Sequence, residues 1–399
     1  MKSLLLISIV MGYTALAHSQ ELTLEEYLTQ VKEQSLDLKI EQAKSDSLDG
    51  KSTGLAIPPP MIGFSQMKDQ EGSSANGFEI NQTIPFPTKL TGDHSARKYE
   101  FRSQEESRLN SQKQTLLKAK LSFLLLWQAQ ERQSLLAEKK EVLQDHIKIS
   151  RSTARSDSFA AIHLLKAESD LDLLENEIES AKQTIRERRF EMAVLTNTDP
   201  LLFKFTAIEP KVSQIPKVNP IEESHLYKSK LFNLESLKSK EFEAKSSWLP
   251  DFNLRYKEMG ATNTSMKYNE IMVGITLPFV FFWEPYSMSK QASRERLIGE
   301  YDLEKERRTF NSEKIVLISR IESLKKQLDT LNNKLIPRAE KRMKLVHNLA
   351  PRDMETLQDH RETMEAFPDL KMKALDFRIE FEKSVADLEK YVSTEDLQK

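Results

Sequence analysis

The 399-residue chain has no cysteine, so disulfides cannot brace it and its stability must come from packing. Glycine is scarce, with 10 residues, and from Asp93 to Asp199 there is neither a glycine nor a proline. Without those breakers, helix is the natural reading of the run. Charge of one sign is missing too: 59 Lys and Arg face 61 Asp and Glu, which leaves no basic stripe for nucleic acid. Beyond the N-terminus, no apolar run approaches the roughly 20 residues a membrane helix needs. Any contact with a bilayer would have to use strands.

Chemistry-bearing motifs are also lacking. There is no nucleophile elbow and no phosphate-cradling glycine loop, and His360-Arg361-Glu362 lacks the spacing of a helical zinc site. Neither an enzyme nor a cofactor is expected. His146, His163, His347 and His360 fall in or near helical segments and read as surface or seam residues rather than metal ligands. Met259, Met266, Met272 and Met288 gather in one stretch and read as core or lipid-facing filling.

What is present is repetition. Residues 1–19 have the form of a secretory signal, with Lys2, an apolar stretch from Leu4 to Leu16 and Ala17-His18-Ser19 at the cleavage positions. Mature chain is expected from about Gln20. Ile84-Pro85-Phe86 aligns with Leu277-Pro278-Phe279, and Pro59 with Pro250, so the order of elements recurs. The first repeat is read over 20–199, with strands about 60–68 and 77–86 and a helical hairpin about 91–198. A proline-marked linker over 200–220, with Pro200, Pro210, Pro216 and Pro220, leads to the second repeat over 221–399. That repeat has strands about 250–259 and 268–280 and a hairpin about 287–392.

The strands alternate with period two. Phe78, Ile80, Ile84 and Phe86 oppose Glu79, Asn81 and Thr83; Phe252, Leu254 and Tyr256 oppose Asp251, Asn253, Arg255 and Lys257; Ile271, Val273, Ile275, Leu277 and Phe279 oppose Glu270, Met272, Gly274 and Thr276. Such alternation suits a soluble sandwich and a transmembrane barrel alike. The aromatics Phe279, Phe281, Phe282, Trp283 and Tyr286 resemble the girdle at a bilayer interface and turn the reading toward the barrel. Because the smallest bacterial barrels use about eight strands, four strands need several copies of the chain. Three copies give a shared 12-stranded barrel, with Glu79, Asn81, Thr83, Asn253, Arg255 and Lys257 as candidate lumen-facing residues.

The helices carry heptads. Leu164, Ala167, Leu171, Leu174, Ile178, Ala181, Ile185, Met192 and Leu195 step by three and four, with Arg188 as the polar interruption. The second hairpin repeats this with Leu317, Ile321, Leu324, Leu328, Leu331 and Leu335 outgoing, and Leu370, Ala374, Phe377, Phe381, Leu388 and Tyr391 returning. Turns are placed near Arg151–Asp157 and His347–Asp353. Asp157 and Asp353 are candidates for an acidic ring at a gate and, more simply, for helix N-caps. Pro368, inside the last helix, predicts a kink or break near Phe367.

Taken together, the element order, the two strand ends, the Leu164-Leu165-Lys166-Ala167-Glu168 start of the returning helix and the leader resemble the TolC-like outer-membrane efflux family over nearly the whole mature chain. Leu277-Pro278-Phe279 and Ile336-Pro337-Arg338-Ala339-Glu340 are most similar to its heavy-metal and cation branch. The resemblance implies a mainly α homotrimer with a small β part, in which an α-helical barrel in the periplasm joins a β-barrel in the outer membrane. It further implies a periplasmic adaptor, an inner-membrane pump and outer-membrane lipid as partners. Protein secretion of type I, or a soluble periplasmic coiled-coil scaffold, are the alternatives. The chain departs from the family at the tips, where Asp157 and Ala350-Pro351 replace the usual glycine, and at Pro368 inside the last returning helix; it also lacks the lipidated cysteine some relatives carry.

Overall fold

The structure, a computed structural model, describes residues 20–153, 158–217, 220–347 and 354–391. It is mostly helical with a small sheet part, and it falls into two compact units. One unit comprises Met1–Leu36, Leu116–Ser213 and Ile321–Lys383; the other comprises Asp37–Thr115, Gln214–Arg320 and Ser384–Lys399.

The first unit opens with β1 (Gln20–Leu22), which pairs in parallel with β4 (Phe205–Ala207). Helix α1 (Leu24–Gln34) follows, started by a capping box in which Thr23 and Glu26 satisfy each other's backbone amides. Its buried face, Tyr27 and Val31, packs on Phe123, Leu126 and Trp127 of α3 (Pro87–Thr153) and on Met192 of α4 (Ser158–Leu195). The Tyr27 hydroxyl donates to the Met192 carbonyl at 3.2 Å. Helix α4 ends where Asn197 takes φ 51° and Thr198 N–H reaches back to the Ala193 carbonyl at 3.0 Å. This left-handed cap satisfies the last carbonyls.

The α3–α4 seam buries Leu136, Leu143, Ile147, Ala167, Leu174 and Ala181, with Leu164, Leu171 and Ile178 packed beside them. The heptad positions of α4 thus form the seam they predict. Arg188 interrupts it and lines a cleft of about 400 Å³ with Leu125, Gln128, Ala129 and Thr184.

In the other unit, α2 (Leu36–Ser52) precedes β2 (Met61–Lys68) and β3 (Ser74–Ile84), and α5 (His225–Lys245) precedes β5 (Phe252–Met259) and β6 (Tyr268–Ile275). All four strands form one antiparallel sheet in the order β2-β3-β5-β6. Gly92 of α3 lies against α5, where an added Cβ would come within 2.9 Å of Glu243. Helix α3 therefore needs glycine at that crossing.

The second hairpin departs from the regular plan. Helix α6 (Trp283–Thr330) runs through a wide turn at Leu331–Leu335 into α7 (Ile336–His347). The extra residue in that turn moves the apolar face by one position: Leu331 is buried, Leu335 is exposed and Ile336 turns inward. The predicted seam residue Leu335 is corrected accordingly, and Pro337 follows the wide turn directly. Helix α8 (Met354–Glu389) passes through Pro368 without the expected break. Pro368 is itself buried, as are Thr363, Ala374 and Leu375, so packing on both sides offsets the lost amide bond.

Candidate functional site

The register of the sheet assigns its two faces. Glu79 stands opposite Lys257, Asn81 opposite Arg255 and Thr83 opposite Asn253, so the six polar candidates share one face. Across that face Arg255 Nη2 donates to Glu79 Oε2 at 2.7 Å, and Thr83 Oγ1 donates to Asn253 Oδ1 at 2.7 Å. Lys257 is flanked on its other side by Glu270. The opposite face carries Ile62, Phe64, Ile80, Ile84, Leu254, Ile271, Val273 and Ile275.

Exposure runs opposite to what a water-soluble sheet requires. Phe64 is 88% exposed and Ile271 and Val273 are each 72% exposed, whereas Glu79, Asn81, Arg255 and Lys257 are half-buried. At about 25 cal/mol per Å², leaving so much apolar surface in water is strongly unfavourable. A continuous apolar face of this kind marks an interface.

Methionine follows the same logic. Met61, Met67, Met259 and Met272 share the polar face by register; Met259 is fully buried, the core role expected of it, whereas Met272 is exposed on that polar face and its lipid-facing role is corrected. Met259 crosses Gly77, where an added Cβ would sit 2.1 Å from its sulfur, and accepts from Ser65 Oγ at 3.4 Å.

At one end the strands meet the helices through Asp251. Its Oδ1 accepts from Phe86 N–H at 2.9 Å and from Lys89 Nζ at 2.8 Å, while its backbone N–H donates to Thr276 Oγ1 at 2.8 Å. Asp251 thereby ties β5 to β6 and to the start of α3. Alternation places Asp251 on the polar face of the strand; its role at the joint has no signal in the sequence beyond an acid between Pro250 and Phe252.

The aromatics sit just beyond the same end. Strand β6 stops at Ile275, shorter than expected, because Pro278 has no amide to continue the ladder. Phe279 and Phe281 occupy a short helical turn, and Trp283 and Tyr286 the first turn of α6. All five aromatics, Phe282 included, are exposed, and the Trp283 ring lies 5.4 Å from that of Phe281 and 5.5 Å from that of Phe282. The collar belongs to the corner rather than to the strand.

Asp157, Asp353 and residues 1–19, read above as a leader, lie outside the described residues. Among the described residues, no helix is long and apolar enough to cross a membrane.

No protein-family model matches the chain, and no curated protein matches it. Solved structures do. The CmeC outer membrane channel of Campylobacter jejuni is 15% identical, with a TM-score of 0.76 over 92% of this chain and 85% of that one. CusC, solved for the changes that accompany folding and transmembrane channel formation, is 10% identical, with a TM-score of 0.75 over 93% and 92%. The outer membrane protein VceC of Vibrio cholerae is 11% identical, with a TM-score of 0.71 over 91% and 96%. At these identities the likeness is one of fold, and the fold is that of TolC-like outer-membrane channels.

Proposed function

We propose that this chain is the outer-membrane channel component of a tripartite efflux system, a passive duct from the periplasm to the exterior rather than an enzyme. The inverted sheet carries the proposal: apolar side chains are turned out and ion-paired polar side chains turned in, as lipid outside and water inside require. The likeness in fold to channels supports it.

A single sheet of four strands leaves β2 and β6 as open edges. These two strands run in opposite directions, so β6 of one copy can meet β2 of the next in the antiparallel sense that closes a ring. Three copies then make the 12-stranded barrel, with Glu79, Asn81, Thr83, Asn253, Arg255 and Lys257 toward the lumen. The collar of Phe279, Phe281, Phe282, Trp283 and Tyr286 sits at the lipid interface.

In this reading residues 1–19 are a cleaved leader, and the spans 20–199 and 221–399 are repeats joined by 200–220. The two hairpins form a periplasmic tunnel whose Asp157 and Asp353 ends meet an adaptor and an inner-membrane pump. Fractionation and planar-bilayer recording test it: the protein stays with the outer membrane as a trimer and raises conductance stepwise. Release by osmotic shock as a monomer without conductance would overturn it in favour of a periplasmic scaffold.

A further inference from the structure

The first unit buries a group of unpartnered polar side chains beside its apolar seam. Helices α3 and α8 lie antiparallel there. Gln128 Nε2 donates to Asp376 Oδ1 at 2.8 Å, Lys139 Nζ donates to Asp369 Oδ1 at 3.1 Å, and Lys371 Nζ lies 3.8 Å from Glu138 Oε2. Continued by two helical turns, that register brings His146 of α3 level with Thr363 of α8. Helix α4 closes the third side, through Lys140–Glu175, Arg151–Glu168 and Arg361–Asp170, each 2.8 Å apart.

His146 is 6% exposed, Ser150 one turn along is 0% and Thr363 is 2%. Among the described residues, His146 Nδ1, Ser150 Oγ and Thr363 Oγ1 have no hydrogen-bond partner. Buried polar atoms are nearly always bonded. Three orphans together mark a weak point beside the apolar contacts of Leu143, Ile147 and Ala167.

We propose that this buried polar cluster is an acid-sensitive latch: with a neutral imidazole α8 packs on α3, and with an imidazolium the two helices part over residues 139–150 and 359–369. Every element around the ring supplies charge of the wrong sign or a carboxylate already engaged. Helix α8 presents His360 and Arg361; α4 presents His163 and Asp170; α3 presents the exposed Asp145–Lys148 pair and Arg151. Arg361 holds both Asp170 and Glu365 at 2.8 Å, and Arg151 holds Glu168.

Burial above all, then the charges of Arg361, His360 and His163, lowers the His146 pKa from 6.5 to about 4. The packed seam therefore binds its proton more weakly than the parted one. Acidification between those values favours parting by about tenfold per pH unit, or about twentyfold from pH 7 to pH 5.

This inference rests on the packing of one unit and not on the channel reading. Hydrogen exchange followed by mass spectrometry on the full-length protein, with intrinsic rates corrected for pH, reads it directly. Protection of residues 139–150 and 359–369 is expected to fall about twentyfold from pH 7 to pH 5, while 373–383 stays protected. In His146→Leu and His146→Gln the fall disappears. Unchanged wild-type protection, or a fall that survives in either variant, would overturn the latch. Should neither variant fold, titration of the wild-type His146 ring by NMR decides: protonation in step with the loss of protection supports the latch, and loss without protonation refutes it.

Discussion

The helical seam of the first unit and the four-stranded sheet of the second use the same apolar residue types with opposite outcomes. In the seam, Leu143, Ile147 and Leu174 are buried; in the sheet, Ile271, Val273 and Phe64 face outward. A helix pair can bury its stripe against its own returning partner within one chain. A lone sheet of four strands has nothing to lay over its apolar face, so that face awaits another phase. On the proposed channel reading, lipid and neighbouring copies supply what the second unit lacks.

Substitution separates the two regions. The largest expected effect is in the core: Phe123→Ala, at a fully buried ring against Tyr27, should lower unfolding free energy by about 3–5 kcal/mol, measured by denaturant titration. Next comes the sheet, where Ile271→Lys distinguishes water from lipid. A position 72% exposed to water would tolerate lysine within about 0.5 kcal/mol, whereas a lipid-facing one loses about 2–4 kcal/mol. On the proposed channel reading, recovery of trimer from the outer membrane should fall several-fold, and unchanged recovery would erase the contrast.

Smaller effects sharpen the comparison. Thr23→Ala removes the capping box of α1 and should destabilise by about 1 kcal/mol, seen as a shift in the thermal midpoint. Arg255→Leu breaks the pair with Glu79, whose partners are 36% and 33% exposed, so stability should move by no more than about 1 kcal/mol. On the proposed channel reading, its larger effect belongs in the reversal potential of the reconstituted protein, which should shift as a positive charge leaves the lumen wall. Least of all, Glu304→Ala ends a well-exposed pair with Arg308 and should stay within about 0.5 kcal/mol of wild type.

Much of the plan is legible in the sequence because periodicity is a local property. The three-and-four steps through Ala167, Leu174 and Ala181 state which face is buried. Alternation through Glu79, Asn81 and Thr83 states which side chains travel together. Other features depend on what lies across the fold. Leu335 leaves the seam because one extra residue widens the turn before Pro337, and Pro368 continues α8 because its surroundings hold it. His146 looks like any seam histidine until the register sets Thr363 beside it. Asp251 gains its partners only when β5 meets β6 and the start of α3.

Sequence alone determined the long helices, the four paired strands and the polarity of each strand face, since these follow from spacing along one chain. Tertiary structure alone decided that β3 pairs with β5, joining strands about 170 residues apart in the chain. It also decided that the resulting sheet keeps its apolar side uncovered. The physical reason is that burial belongs to pairs of surfaces: a pattern can mark a surface as apolar, but only the packed chain shows whether a matching surface is there to meet it.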